Sequence, residues 1–227
     1  MIQPIPDGLI CLTFDDGVKS QHRFVVPLLE ELGFGGTFYI SEGLRFLEDK
    51  TRYMTWEEIA DLDARGFEVG NHTRAHKNVN EQTPDELRAD IDHIDARCRA
   101  YGITHPTTFC YPGYRNGPAA VEVLRDRGFA LARCGTDPAY DPTCHDPLLV
   151  PTTGAAGPAY SLDDFKWSVD QATEGQVCVL TYHGVPDLDH AWVHVDPDVF
   201  TTHMRYLQDN ACKVIALRDL ECYVPLV

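Results

Sequence analysis

Short apolar runs alternate with apolar stripes of helical period along the whole chain. The run at 9–14 is typical of a buried strand, and the stripe at 21–32 is typical of a helix with one apolar face. Capping signals and prolines mark the starts of later helices near Thr55, Thr83 and Ser161. The predicted helices cover 21–32 and 118–126 and begin near 55, 83, 161 and 197; the predicted strands cover 9–14, 36–40, 67–71, 107–111, 129–133, 148–152, 177–182 and 213–217.

This alternation of strands and helices predicts an α/β fold. Strands that are each followed by a helix form a parallel sheet, which is either open and doubly wound or closed into a barrel. No internal repeat, low-complexity tract or long linker divides the sequence, so we expect a single domain over residues 1–227. In both architectures the chemistry gathers at the carboxyl ends of the strands. A candidate site must therefore consist of residues that directly follow predicted strands.

Composition and charge narrow the classes of partner. The 227 residues include 35 Asp and Glu against 19 Lys and Arg, a formal net charge of -16. Such an acidic chain repels phosphate backbones and anionic headgroups, so we expect no nucleic-acid partner. Neither a secretory-signal pattern nor a run of 18 apolar residues occurs, so we expect a cytoplasmic protein without membrane insertion. We interpret the eight cysteines, which include no C-x-x-C pair, as small core residues.

Polar residues follow several of the predicted strands. Two aspartates come after the first strand and two histidines after the third, and further candidates follow the fourth, fifth and seventh. Because parallel strands end at the same side, we expect these residues to meet at one mouth. The candidates are Asp15, Asp16, His72, His76, Tyr111, Gly113, Tyr114, Arg133 and His183.

The two histidines suggest a metal site. His72 and His76 are four residues apart, so on a helical turn both imidazoles face the same way and can bind one cation. A carboxylate from the Asp15–Asp16 pair would complete a set of two nitrogens and one oxygen, while the other carboxylate serves as a base. Zn²⁺ is the default metal for such a set in a hydrolase. His183 could then supply the proton that a leaving group needs.

Three motifs carry a family resemblance. T-F-D-D-G at 13–17, H-T-x-x-H at 72–76 and L-T-Y-H at 180–183 resemble, in order, the motifs of the polysaccharide deacetylase (NodB-homology) family of carbohydrate esterases. The resemblance implies a distorted (β/α)7 barrel and metal-dependent removal of acetyl groups from N- or O-acetylated sugars. It also implies metal ligands at Asp16, His72 and His76, a general base at Asp15 and a proton donor at His183. For Thr73 we expect a hydrogen bond that orients His76 or the turn between the ligands.

Two departures from the family pattern concern the base and the substrate. The third motif usually begins with an arginine that holds the base, whereas this sequence has C-Y-P-G at 110–113. We expect Arg133, or less favourably Arg115, to supply the missing charge, and an amide of Gly113 or Tyr114 to face the oxyanion. A D-x-x-D-W fourth motif is absent, since its region holds G-T-D-P at 135–138.

The remaining aromatic residues and histidines divide between site and scaffold. Trp192 lies in a loop after the seventh strand, where its indole either forms a wall of the sugar site or packs as an ordinary loop residue. Tyr111, after the fourth strand, is a further expected substrate contact. Trp56 and Trp167 fit helix stripes and are predicted to be in the core. The histidines for which we expect surface or helix positions without partners are His22, His93, His105, His145 and His203.

The sequence therefore predicts a metal-dependent deacetylase that acts on an N-acetylated amino sugar in an oligosaccharide or glycoconjugate. An O-acetyl esterase, a cyclic amide hydrolase on the same barrel, and an inactive sugar-binding relative stay open as alternatives. A non-haem iron oxygenase would also use two histidines and a carboxylate, but such sites usually occur in antiparallel jelly rolls. An H-E-x-x-H peptidase is excluded because Thr73 stands where its glutamate would be. The oligomeric state is left open.

Overall fold

The computed structural model describes residues 2–136 and 139–225. Its parallel strands form a nearly closed barrel in the order β6, β5, β4, β3, β2, β1, β8 and β7, and a further short strand, β9, pairs with β1. This confirms the closed alternative and the single α/β domain. The strands are β1 (Leu9–Phe14), β2 (Thr37–Ile40), β3 (Glu68–Asn71), β4 (Thr108–Cys110), β5 (Leu131–Thr136), β6 (Val150–Thr152), β7 (Gly154–Ala155), β8 (Cys178–Tyr182) and β9 (Lys213–Ile215).

The central strand, β1, is shared by three neighbours. Its amino-terminal half pairs with β9 through Leu9 to Cys11, and its carboxyl-terminal half pairs with β2 through Thr13 and Phe14. On its other side it pairs with β8 from Ile10 to Phe14. The residues that follow β1 and β8 consequently emerge side by side at the carboxyl end of the barrel.

Helices cover the outside of the barrel. Thr55, Thr83 and Ser161 each cap a helix by accepting a hydrogen bond from the main-chain N–H three residues on, and a carboxylate at that third position returns the contact. These caps begin the helices where the sequence predicted them. The helices are α1 (Val26–Leu32), α2 (Trp56–Ala64), α3 (Pro84–Ala100), α4 (Pro118–Asp126), α5 (Leu162–Asp170) and α6 (Pro197–Asp209).

One predicted helix is divided. The segment 21–32 begins as a π-helical turn at Gln21–Val25 and becomes α1 only from Val26, whose N–H donates to the Gln21 carbonyl five residues back. Pro27 has no N–H for the carbonyl four residues before it, so the regular pattern cannot run through this point. The helix predicted for 21–32 is therefore confirmed, but its first turn is π-helical.

The core has an outer and an inner layer. Alternate residues of β1 point to opposite faces, so Ile10, Leu12 and Phe14 pack with the helices, whereas Leu9 and Cys11 belong to the barrel interior. Hydroxyl groups link the strands inside the barrel. Thr181 lies between Thr13 at 3.1 Å and Thr152 at 3.4 Å, which ties β8 to β1 on one side and to β6 on the other.

Several predicted scaffold positions are confirmed and others are wrong. Trp56 is buried as predicted, but Trp167 is 53% exposed because α5 turns Phe165 and Val169 inward and leaves the indole outside. Of the histidines expected to lack partners, four have one. His22 contacts Asp61, His93 contacts Glu42, His145 accepts from the Asp141 amide, and His203 is buried against the Tyr182 hydroxyl.

Candidate active site

Two histidines and a carboxylate meet at the carboxyl end of the barrel. Asp16 follows β1, and its Oδ1 lies 3.5 Å from Nε2 of His72 and 3.3 Å from Nε2 of His76. Asp16 and His72 are buried, and His76 is partly exposed toward the cavity. The residues thus converge as the positions after β1 and β3 predicted.

Each imidazole is held by the main chain around it. His72 Nδ1 donates to the Cys110 carbonyl at 2.8 Å, which leaves Nε2 as the nitrogen that faces Asp16. The Thr73 hydroxyl accepts from the His76 amide at 3.1 Å, a contact of the kind expected for it. Asp16, Thr73 and His76 adopt positive φ angles of 71°, 63° and 52°. Non-glycine residues in this region cost on the order of 1–3 kcal/mol each, and such strain gathers at functional sites.

The three ligand atoms fit a small divalent cation. Zn²⁺ binds nitrogen and oxygen at about 2.0–2.2 Å, so neighbouring ligand atoms of a tetrahedral site lie about 3.3–3.5 Å apart. The separations around Asp16 Oδ1 match this spacing, and all three atoms lie within 4.8 Å of one another. Asp16 Oδ1 is buried without a hydrogen-bond partner. Since an orphaned buried carboxylate oxygen is costly, the atom is suited to a cation that also binds the histidines.

Electrostatics favour the charged form of this carboxylate. Burial raises the pKa of Asp16, but the His72 and His76 imidazoles outweigh burial and hold that pKa well below its usual range. Burial alone would lower the pKa of His76. The Asp16 carboxylate outweighs burial and raises the pKa of His76 above its usual value. The site therefore presents an ionised oxygen ligand across a wide pH range.

The second aspartate is held by an arginine from another strand. Arg133, on β5, is fully buried and its Nη2 donates to both Asp15 oxygens, at 2.6 and 2.5 Å. The same nitrogen lies 2.8 Å from Cys110 Sγ, while Nη1 donates to Thr152 at 2.9 Å. Burial opposes ionisation of Asp15, yet the guanidinium lowers the pKa of this carboxyl group. Arg133 is thus paired with the Asp15 carboxylate, with Cys110 beside it.

His183 completes the group at the end of β8. Its Nε2 lies 3.8 Å from Asp15 Oδ2 and 3.9 Å from Asp16 Oδ2, so it faces both carboxylates. Gln21, which is buried, fixes the backbone here, because its Nε2 donates to the carbonyl oxygens of Asp15 at 2.5 Å and His183 at 3.1 Å. Gln21 links the loops that follow β1 and β8.

The turn after β4 presents main-chain groups to the site. Gly113 and Tyr114 have φ angles of 58° and 61°, and the Tyr114 N–H already donates to the Tyr111 carbonyl at 3.0 Å. Of the two predicted oxyanion donors, this leaves Gly113 favoured. Tyr111 contributes no side-chain hydroxyl, since its ring is fully buried and its OH donates to the Leu148 carbonyl. Tyr111 nevertheless lines the cavity, and its predicted place among the substrate contacts stays a prediction.

A cavity of about 660 Å³ opens above these residues. This volume lies within the range of about 300–1,000 Å³ that is typical of pockets for small ligands. Trp192 stands at the rim, 72% exposed, and both Asp15 and Asp16 lie at the base. The lining residues are Asp15, Asp16, Leu44, His72, His76, Tyr111, Gly113, Tyr114, Ala155, Ala156, Gly157, Pro158, Ala159, Tyr160, His183, His190, Trp192 and Val193.

Sequence reasoning missed some contacts that shape the site. Besides Gln21, it gave no role to Asn71, whose side-chain amide donates to Asp95 at 2.9 Å and whose Oδ1 accepts from the Thr73 amide. The sequence feature that could have indicated this role is an asparagine at the last position of the predicted strand 67–71, directly before His72. The segment 135–138, which stands in the region of the family's fourth motif, includes Asp137 and Pro138, and these two lie outside the described residues.

Comparisons with known proteins agree with this geometry. The family model described as polysaccharide deacetylase matches residues 3–132, more than half of the chain, and the protein belongs to that family. The match includes Asp15, Asp16, His72 and His76 but ends before Arg133. The family consists generally of metal-dependent deacetylases. No curated protein matches the sequence.

Solved structures share the fold at low sequence identity. The chitin deacetylase from the fungal pathogen Colletotrichum lindemuthianum has a TM-score of 0.67 and 17% identity, with 98% of this chain and 90% of that chain covered. A family 4 acetyl xylan esterase from Clostridium thermocellum, solved with a cobalt ion, has a TM-score of 0.64 and 19% identity over 93% and 89% of the chains. A CE4 family pseudoenzyme from Bacillus anthracis has a TM-score of 0.66 and 15% identity over 95% and 66%.

Proposed function

We propose that the protein is a Zn²⁺-dependent hydrolase that removes acetyl groups from an N-acetylated amino sugar in an oligosaccharide or glycoconjugate. The observation that carries the proposal is the buried Asp16 Oδ1, which has no hydrogen-bond partner and lies 3.3–3.5 Å from two imidazole nitrogens in a cavity. Asp16, His72 and His76 would hold the metal. Asp15 lies beside them and forms an ion pair with Arg133.

The residues divide the chemistry between them. A bound divalent metal would polarise the acyl oxygen and acidify water. Asp15, ionised and held by Arg133, accepts the proton of the attacking water, while the Gly113 amide donates to the developing oxyanion. His183 lies within 4 Å of both carboxylates and delivers a proton to the departing amine. Arg133 acts through Asp15, so its role is to position the base.

The alternatives differ in substrate or in turnover. An O-acetyl ester places its carbonyl in the same position as an N-acetyl amide, so the substrate panel must contain both. The inactive sugar-binding alternative is disfavoured because Asp15 and His183 are both retained and both face the metal ligands. The cyclic amide alternative is disfavoured because its metal-free branch does not need the ligand set at Asp16.

Acetate release tests the function directly. The substrates are N-acetylglucosamine oligomers, acetylated xylan and cyclic imides, each with purified protein loaded with Zn²⁺ and with protein treated with a chelator. For the imides, the opened product is measured instead of acetate. We expect acetate release from the N-acetylated oligomers that stops on chelation and returns with Zn²⁺. Absence of release from every acetylated substrate, or release that survives chelation, would overturn the proposal.

We also propose a cytoplasmic location. Cys11, Cys98, Cys110 and Cys178 are buried reduced thiols in the core, which suits a reducing compartment. Within the described residues, no helix is both long and apolar enough to cross a membrane. A soluble acetylated sugar met in that compartment is accordingly the proposed partner.

A further inference from the structure

The loop after His183 is organised around a buried aspartate. Asp187 is 3% exposed, and its Oδ1 accepts from the amides of Asp189 at 3.0 Å and His190 at 2.8 Å. Its carbonyl oxygen accepts from His194 Nδ1 at 2.9 Å. These contacts fold the loop back on itself and hold its far end at the rim of the cavity.

The second oxygen of this carboxylate faces an imidazole. Asp187 Oδ2 and His190 Nδ1 are both buried, neither has a hydrogen-bond partner, and they lie 3.5 Å apart. A carboxylate oxygen can only accept, so the favourable arrangement places a proton on His190 Nδ1. The neutral ring then has its lone pair on Nε2, and His190 lines the cavity. Asp187 thereby makes Nε2 an acceptor for a ligand.

The wall around His190 offers few other polar side chains. The segment 155–160 is made of small and apolar residues that end in Tyr160, whose hydroxyl donates to Ser168 at 2.7 Å. This segment touches the loop closely, since a Cβ at Gly157 would come within 2.8 Å of the Trp192 carbonyl oxygen. Beside it the His190 and Trp192 rings lie 5.2 Å apart, and the indole is exposed. A few placed polar groups fix the orientation of a ligand in a largely apolar pocket, and in this part of the wall that group is His190.

We propose that His190, oriented by Asp187, is a substrate-binding residue whose Nε2 accepts a hydrogen bond from a hydroxyl group of the sugar that stacks on Trp192. The sugar itself rests on the proposed function, because that is what supplies the substrate class. A flat indole face suits a pyranose ring, and a hydroxyl is the donor that such a ring presents at its edge. Asp187 acts through His190 and is a positioning residue.

Binding is measured first, in a background that does not turn over. The probe is an N-acetylglucosamine disaccharide, titrated into Zn²⁺-loaded Asp15→Asn protein by calorimetry. His190→Asn keeps an atom near Nδ1 and loses Nε2, so we expect Kd to rise about 3- to 10-fold, as for one lost hydrogen bond. His190→Gln keeps a polar atom near Nε2 and should restore part of the affinity. His105→Asn, at the opposite end of the barrel, is the matched control and should leave Kd unchanged.

The orienting role of Asp187 has its own variant. Asp187→Asn keeps an oxygen for the amides of Asp189 and His190 but presents an NH₂ group to His190 Nδ1, which reverses the imidazole tautomer. We expect a smaller rise in Kd than in His190→Asn, because the sugar hydroxyl can still accept from the reversed Nε2–H, and an unchanged melting temperature. With otherwise wild-type protein, His190→Asn should raise KM by the same factor while kcat stays within about twofold. Mono-deoxy analogues should identify one hydroxyl whose removal weakens wild-type binding but not binding by His190→Asn.

The outcomes separate this inference from the proposed function. A wild-type protein that binds the disaccharide through His190 but releases no acetate overturns the deacetylase and supports the binding role. Acetate release with Kd and KM unchanged in His190→Asn supports the deacetylase and overturns the role of His190. Failure of the disaccharide to bind also overturns the role of His190. So does a loss of affinity in His190→Asn that is equal for every mono-deoxy analogue, because no single hydroxyl would then be the partner of His190.

Discussion

Replacement of Arg133 tests the pairing that the structure makes inside the barrel. Arg133→Met has a similar volume and no charge, and it removes the two contacts to Asp15 and those to Thr152 and Cys110. Both members of the ion pair are almost fully buried, so solvent cannot replace the lost partner. Removal of one member of a buried pair costs about 3–5 kcal/mol. Whole domains are stable by only about 5–15 kcal/mol, so the effect is large enough to measure.

The assay is urea unfolding followed by circular dichroism, with a chelator present so that metal binding does not contribute. Arg133→Lys keeps the charge but not the planar fork, and we expect a loss of about 1–3 kcal/mol. The double variant Asp15→Asn with Arg133→Met removes both charges. Because it leaves no unpaired buried carboxylate, it should be more stable than the sum of the single effects predicts, by about 1–3 kcal/mol.

Two results would refute this reasoning about the arginine. A loss below about 1 kcal/mol in Arg133→Met would mean that Asp15 does not depend on the guanidinium. Additive single and double variants would mean that the two side chains act independently. The exposed Arg115→Met variant, in which a charge is removed without a buried partner, is the control and should stay within about 0.5 kcal/mol of the parent.

Two further predictions concern the metal and pH. His76→Ala should lose both bound Zn²⁺ and activity, whereas Asp15→Asn should retain Zn²⁺ by elemental analysis and lose turnover; retention of metal by His76→Ala would contradict the ligand assignment. Burial lowers the pKa of His203 to about 4, so the unfolded chain, with a pKa of 6.5, binds the extra proton first. The stability that neutral His203 contributes is thus present above pH 6.5 and is lost as pH falls toward 4. His203→Phe, which can still stack on Phe165, should flatten this part of the pH–stability curve, and an unchanged slope would refute the cause.

Local signals were enough for most of the scaffold. The bounds of β1 and α4 agree with the predicted segments. The apolar run of β1 and the helical stripe of α4, which starts at a proline, depend only on residues within each segment. The helix predicted over 21–32 is present, but its first turn is π-helical because Pro27 lacks an N–H for the regular pattern and Gln21 is held by the Asp15 carbonyl. Trp167 departs since a short helix has two plausible inward faces, and only packing against the barrel chooses between them.

The sequence by itself determined the order of the strands and helices apart from the short strand β7, the parallel class of sheet, and the convergence of Asp16, His72 and His76, because residues that follow parallel strands share one end of the sheet. Tertiary structure decided how the barrel closes and which distant side chains form pairs. Arg133 and Asp15 are 118 positions apart in the sequence, and the spacing of residues does not predict a contact between side chains so far apart. The Asp187–His190 pair likewise depends on the fold of its loop, since only burial makes one carboxylate oxygen and one ring nitrogen into obligatory partners.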